Sequence, residues 1–248
     1  MNTRLSLIRE EEKKYHEACY DQYKLFEEGS WLHKPVKTVM EYFSVIEKNQ
    51  NPTILDLGCG VGRNSIPMAQ SLIGSQGQVI CVDLLESALY KLMSYAEQNG
   101  VDGYLKPVAS DIGNYDILLG GFDYIVAVSS LEHVESEEVL KEVLLSMISG
   151  TKINGINCII INTSIQEMDK HTHEILEPYM EINVSTKQME MLLQEVYKDW
   201  NILNTHVKQL EFTIVRNDRE ILLTSNCITY VAQKSKGHSG GVMDDSNE

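Results

Sequence analysis

The sequence predicts an α/β protein built on a doubly wound, mostly parallel sheet of seven strands, and three observations carry that expectation. From Pro52 onward, short apolar strands alternate with helical segments, the signature of βαβ units whose sheet is covered on both faces. The first strand runs straight into a glycine-rich turn, Gly58-Cys-Gly-Val-Gly62. The last two strand candidates follow one another with no helix between them, joined at Arg216-Asn-Asp-Arg219, so they form an antiparallel hairpin at one sheet edge.

The elements follow in order. Ile8, Tyr15, Cys19, Tyr23 and Phe26 recur near a helical period, which predicts an amphipathic helix over 4–28. After Gly29-Ser30-Trp31 a second helix is opened by Pro35, with Val36, Val39, Met40, Phe43 and Ile46 as its stripe. Residues 1–50 therefore read as a helical lid on a domain of residues 51–233. Within that domain, strands are expected at 53–57, 78–82, 104–109, 122–128 and 157–161. Helices are expected at 64–72, 86–98, 135–148 and 186–196. Residues 163–185 lack a regular period, the hairpin strands lie near 201–214 and 221–232, and the polar, Gly/Ser-rich residues 234–248 read as a disordered tail.

Composition narrows the function. The 248 residues are 43% hydrophobic and 23% charged, enough for a sizeable core without disulfide or metal staples. Thirty-six acidic against 21 basic residues give a net charge of −15, a poor match for a phosphate backbone. The excess acid collects in residues 51–150, where a cationic small molecule is welcome and a polyanion is not. Cys19, Cys59, Cys81, Cys158 and Cys227 are odd in number and contain no Cys-x-x-Cys pair, as expected of reduced, mostly buried thiols in a cytoplasmic protein. The N-terminus turns acidic before an apolar signal develops, and no apolar run approaches the ~18 residues of a membrane span. A soluble monomer or homodimer with no nucleic-acid or membrane partner is the expectation.

Glycines at 58, 60 and 62 let the backbone pass close beneath a ligand. The third follows the second by two residues, where the dinucleotide fingerprint has three. Asp56 stands two residues before the first glycine, where a pyrophosphate would be repelled. Asp83 ends the second strand, the position that accepts ribose hydroxyls in such folds, and Asp111 ends the third. Three carboxylate-tipped strands around a glycine turn suit a phosphate-free, positively charged nucleoside, and S-adenosylmethionine has that chemistry.

Asp56-Leu-Gly-Cys-Gly-Val-Gly62, Cys81-Val-Asp83, Ala109-Ser-Asp111-Ile112 and Phe122-Asp-Tyr-Ile-Val-Ala-Val-Ser-Ser-Leu-Glu-His-Val134 resemble the four ordered cofactor motifs of class I S-adenosylmethionine-dependent methyltransferases, over roughly residues 51–162. Gly62-Arg-Asn-Ser65 and residues 179–200 are similar to the tellurite-resistance subgroup. The resemblance implies a Rossmann-like methyltransferase fold and a small-molecule methyl acceptor, for which the subgroup suggests a thiol or a chalcogen oxyanion such as tellurite or selenite. It also implies that Asp56 and the backbone of Gly58, Cys59 and Gly60 hold the methionine moiety, with Gly62, Arg63 and Asn64 completing that side. By the same carry-over, Asp83 takes the ribose hydroxyls and Leu84 packs on adenine. Asp111 and the Ile112 backbone meet the adenine edge, and Ser129 lies near the methyl group. The turn before the fifth strand, Lys152-Ile-Asn-Gly155, departs from the family's Lys-Pro-Gly-Gly.

Alternatives stay open at this point. Arg63 is either a solvent-facing helix residue or a carboxylate contact, and Asp111 is either a ligand or a helix cap. His133 is a weak candidate for a catalytic base. Tyr15, His16, Tyr20, Tyr23 and Trp31 either close over a sulfonium by cation–π attraction or simply pack the first helix. His171-Thr-His173 lacks a third ligand at fixed spacing, and no metal is expected. Two rival functions are an NAD(P)-dependent oxidoreductase and a non-catalytic S-adenosylmethionine-binding module.

Overall fold

The computed structural model describes residues 3–216 and 219–235. Helices α1 (Thr3–Gln22) and α2 (Lys37–Ile46) precede the sheet. Then come β1 (Thr53–Leu57), α3 (Ser65–Ser71), β2 (Gln78–Asp83), α4 (Glu86–Gln98), β3 (Leu105–Ala109), β4 (Phe122–Val128) and α5 (Glu137–Gly150). The chain ends with β5 (Thr151–Asp169), β6 (Ile175–Leu176), α6 (Thr186–Val196), β7 (Asn201–Arg216) and β8 (Arg219–Gln233). The strands form one sheet in the order β3-β2-β1-β4-β5-β8-β7, with the two-residue β6 paired to β5. Strands β1 to β5 pair in parallel, and β8 lies antiparallel between β5 and β7. The expected sheet is present, with β6 as an eighth strand.

Period-two alternation divides the sheet's side chains between two cores. Ile54, Val79, Cys81, Tyr124 and Val126 point to one face, where they meet Tyr20, Phe43, Met68 and Leu92 from α1 to α4. Leu55, Leu57, Val82, Ile125 and Ala127 point to the other, against Leu140, Leu144, Met189 and Leu193 from α5 and α6. Helix α1 ends at Gln22, earlier than expected. Phe26 and Gly29 take left-handed φ values of 67° and 118°, and the chain folds back so that Phe26 N–H donates to Leu32 O at 3.1 Å. Pro35 falls just outside α2, whose entry is fixed by Val36 N–H donating to Asn64 Oδ1 at 2.9 Å.

The largest departure is β5, which runs for 19 residues where five were expected and takes in the first part of the supposedly irregular 163–185. A register shift between Thr163 and Gln166, with Ser164 at φ 48°, lets its second half continue beside β8 as an antiparallel arm. A bidentate ion pair from Arg216 to Glu167 pins this arm, and the guanidinium lies 4.4 Å above the Tyr179 ring. The turn sequence that departs from the family accommodates itself at Asn154, which adopts φ 64° and donates its N–H to Lys234 O at 2.9 Å. Lys234, placed by the sequence in the tail, donates to the carbonyls of Ile148 and Thr151 at 2.7 and 2.8 Å. The rest of that tail beyond Ser235, and Asn217-Asp218 of the hairpin turn, lie outside the described residues. Among the described residues no helix is long and apolar enough to cross a membrane.

Candidate active site

Strand order reverses at β1, which has β2 on one side and β4 on the other, so a crevice opens beyond the carboxyl ends of these strands. The glycine turn fills that position. Gly58 and Cys59 N–H both donate to Val82 O, at 2.8 and 3.0 Å, and Gly62 N–H donates to Cys59 O at 3.1 Å. The three glycines do different things, which corrects their reading as a common floor. A Cβ on Gly58 would lie 2.3 Å from Ser130 Cβ, and one on Gly62 would lie 2.3 Å from Leu92 Cδ1, so packing within the protein requires both to be bare. A Cβ on Gly60 would instead meet the Tyr20 hydroxyl of α1, at 2.9 Å. Gly60 alone faces the helix above.

The strand-tip carboxylates also separate. Asp83 accepts from Gly60 N–H (2.7 Å) and Leu85 N–H (2.9 Å), one on each oxygen, which leaves each oxygen a further lone pair. Burial pushes its pKa up against those two bonds. Asp56, only 1% exposed, lies beneath the turn and accepts from the Ser65 hydroxyl at 2.5 Å. Burial raises it to about 6, with the Ser65 bond opposing. Asp111 accepts from Gly113 N–H (2.9 Å) and from Arg9 of α1 (2.8 Å), so it is both a local turn acceptor and a latch for the first helix.

The remaining expected residues fall into two groups. Leu84 is 50% exposed at the β2 tip beside Asp83, and Ser129, with φ 49°, is exposed at the β4 tip. Cys59 is buried in the core on the α2–α4 face, Ile112 in that on the α5–α6 face. Asn64 is spent on Val36, and Arg63 donates to Trp31 O (2.8 Å) with its guanidinium over the Trp31 ring. The structure thus assembles Gly60, Asp83, Leu84, Asp111 and Ser129 near the strand tips and turns Asp56, Arg63 and Asn64 inward or toward the segments leading into the sheet.

Helix α1 crosses this end of the sheet. Besides the Arg9 latch, Glu17 accepts from Ser87, and Lys91 donates to Tyr20 O and pairs with Asp21. His16, Tyr20 and Trp31 form an aromatic group with ring centroids 5.7 to 6.4 Å apart. His133, in the turn after β4, bonds Glu181 through Nδ1 at 3.0 Å. Burial pulls its pKa down, but Glu181 and the carboxylates of Glu12 and Glu132 outweigh this and raise it to about 9. A histidine held protonated at neutral pH does not serve as a base, which argues against the catalytic role considered for it. Its neighbour Glu132 is 2% exposed and has one oxygen, Oε2, without a partner.

Sequence reasoning missed Glu12, Glu132 and Glu181. The spacing of Glu12 and His16 puts them on one helical face, but no local pattern identified that face. Glu181 lies in the segment that has no period at all. His171 and His173 are exposed and take no part in the site.

Residues 54–155 match the family model described as a methyltransferase domain. Among solved structures, TehB from Haemophilus influenzae superposes with a TM-score of 0.58 at 22% identity, covering 81% of this chain and 62% of that one. This chain therefore spans less than two thirds of that protein. An S-adenosylmethionine-dependent methyltransferase from Methanosarcina mazei gives 0.58 at 16% identity, covering 81% and 99%. The 1,6-didemethyltoxoflavin-N1-methyltransferase of Burkholderia thailandensis, solved with 1,6-didemethyltoxoflavin and S-adenosylhomocysteine, gives 0.56 at 15%, covering 92% and 87%. At such identities the likeness is one of fold. No curated protein matches by sequence. Residues 54–155 thus match a methyltransferase domain model, and the group that the last two of these neighbours use or hold is S-adenosylmethionine or its product S-adenosylhomocysteine. The donor set fits this group: Gly60 is a bare backbone position, and Asp83 keeps lone pairs for hydroxyl donors.

Proposed function

We propose that the chain transfers a methyl group from S-adenosylmethionine to a small-molecule acceptor. The observation that carries this reading is the enclosure of the Gly60–Asp83 corner by α1, latched through Arg9 and Asp111 and roofed by Tyr20. When bound, the cofactor supplies a methyl group already activated on a sulfonium. The protein's own task is then to align the acceptor and exclude water. On this reading Asp83 holds the ribose hydroxyls, Leu84 covers the adenine, and residues 1–50 act as the lid. An enclosed corner under a helix favours a small acceptor over a polymer.

Electrostatics ranks the acceptors. Glu12, Asp111, Glu132 and Glu181 surround the site, with Arg9, His133 and the field of Arg216 compensating them in part, so a neutral thiol is favoured over an oxyanion. Selenite and tellurite stay in the panel because of the resemblance carried by Gly62-Arg-Asn-Ser65. The test is product detection by mass spectrometry with thiols, selenite and tellurite, alongside thermal shifts. We expect S-adenosylhomocysteine to raise the Tm while NADH does not, and a methylated thiol to accumulate. A shift with NADH alone would overturn the reading, and a shift with S-adenosylhomocysteine but no product from any acceptor would favour a binding module.

A further inference from the structure

We propose that Glu12, His16 and His133 form a binding site for a divalent first-row transition metal, of the kind zinc represents, that staples α1 across the strand tips. One donor atom from each residue lies within 4.8 Å of the other two, the only such group among the described residues. Two imidazoles and a carboxylate are the donor set that zinc and its neighbours take in sites with open positions. Glu12 and His16 come from one face of α1, one turn apart, with Glu12 Oε2 3.5 Å from His16 Nε2. His133 comes from the other side of the crevice, at the β4 tip.

A further observation points to an ion. His133 Nδ1 is engaged by the Glu181 carboxylate at 3.0 Å, which directs Nε2 away from it. This is the carboxylate–histidine arrangement that orients imidazole ligands. Bonds of about 2.0–2.2 Å place donors about 3–3.5 Å apart, so binding draws the three atoms in by roughly 1 Å. Three protein ligands leave a position for solvent. On the methyltransferase reading, a thiolate acceptor is a ligand that this open position would take. The site itself does not depend on that reading.

The test uses the full chain, stripped with a chelator and titrated with cobalt(II) on the alkaline side of neutrality, where protons compete less for His133. We expect ligand-field absorption that saturates at one equivalent and is displaced by zinc. His16→Ala and Glu12→Gln should each weaken binding at least about tenfold. Glu181→Gln, a positioning change, should weaken it by about 10–100-fold while keeping the spectrum. Tm and S-adenosylhomocysteine binding, measured on each variant, separate loss of the metal from loss of the fold or of the cofactor site. No stoichiometric binding, or an unchanged affinity in folded His16→Ala, would overturn the proposal.

Discussion

At Gly58 a methyl group would sit 2.3 Å from Ser130 Cβ on a backbone with φ 74°, so Gly58→Ala combines left-handed strain with overpacking. The expected cost in urea denaturation is about 2–4 kcal/mol. Gly60→Ala meets only the hydroxyl end of Tyr20, at 2.9 Å, and its cost should stay near 1–2 kcal/mol while S-adenosylhomocysteine binding falls sharply. Equal stability losses at both positions would show that the division between packing glycine and site glycine is wrong. Asp56 offers a second contrast. Its folded pKa of about 6 exceeds its ordinary 3.8, so the native state holds the extra proton and stability falls as pH rises from about 4 to 6. Asp56→Asn keeps an acceptor for Ser65 and removes that penalty. The variant should be more stable than the parent at pH 8, by about 3 kcal/mol, with the advantage gone below pH 4. The acidic residue types at the strand tips were legible in the sequence, but whether each faced the crevice was not. Asp56 and Asp83 are both strand-end acids, and only three-dimensional packing puts one under the turn and the other at its rim.

Among the elements, the alternating strands and helices from β1 to β4 were readable because β1, β2 and β4 are short, mostly apolar runs and β1 to β3 end at or within two residues of a glycine or an acid. Strand β5 was not. Its second half, Thr163-Ser-Ile-Gln-Glu-Met-Asp169, has only Ile165 and Met168 apolar, three residues apart, so no period-two pattern marks it, and what holds it is the distant β8 and Arg216. The Glu167 side chain is only 2% exposed, so removing its partner leaves a buried charge uncompensated. Arg216→Ala should cost about 3–5 kcal/mol, and a combined Glu167→Leu/Arg216→Leu change should recover much of it. Urea midpoints of the three proteins test this. A near-neutral Arg216→Ala would mean that the arm does not depend on the pair. A cavity of about 480 Å³ lined by Glu167, Tyr179 and Arg216 opens on this arm, away from the glycine turn.

For the whole molecule, the order reversal at β1 fixes where the site lies before any side chain is considered, because the crevice forms where neighbouring crossovers diverge. The glycine turn and the acids at the tips of β2 and β3 then converge there by topology, which is why the site's general location could be read from motif order alone. The helix above it could not be placed that way. Its docking depends on pairs such as Arg9–Asp111 and Ser87–Glu17, separated by 102 and 70 residues. The net charge of −15 sets the electrostatic character of the whole surface and favours cationic or neutral small ligands over polyanions. The central claim is that the Asp83 carboxylate at the glycine turn receives the adenosyl group. Isothermal titration with S-adenosylhomocysteine tests it most directly. The account predicts one equivalent bound by the parent protein and at least a tenfold weaker Kd in Asp83→Ala, about 1.4 kcal/mol. Equal affinity in the two proteins, or no binding to the parent, would contradict it.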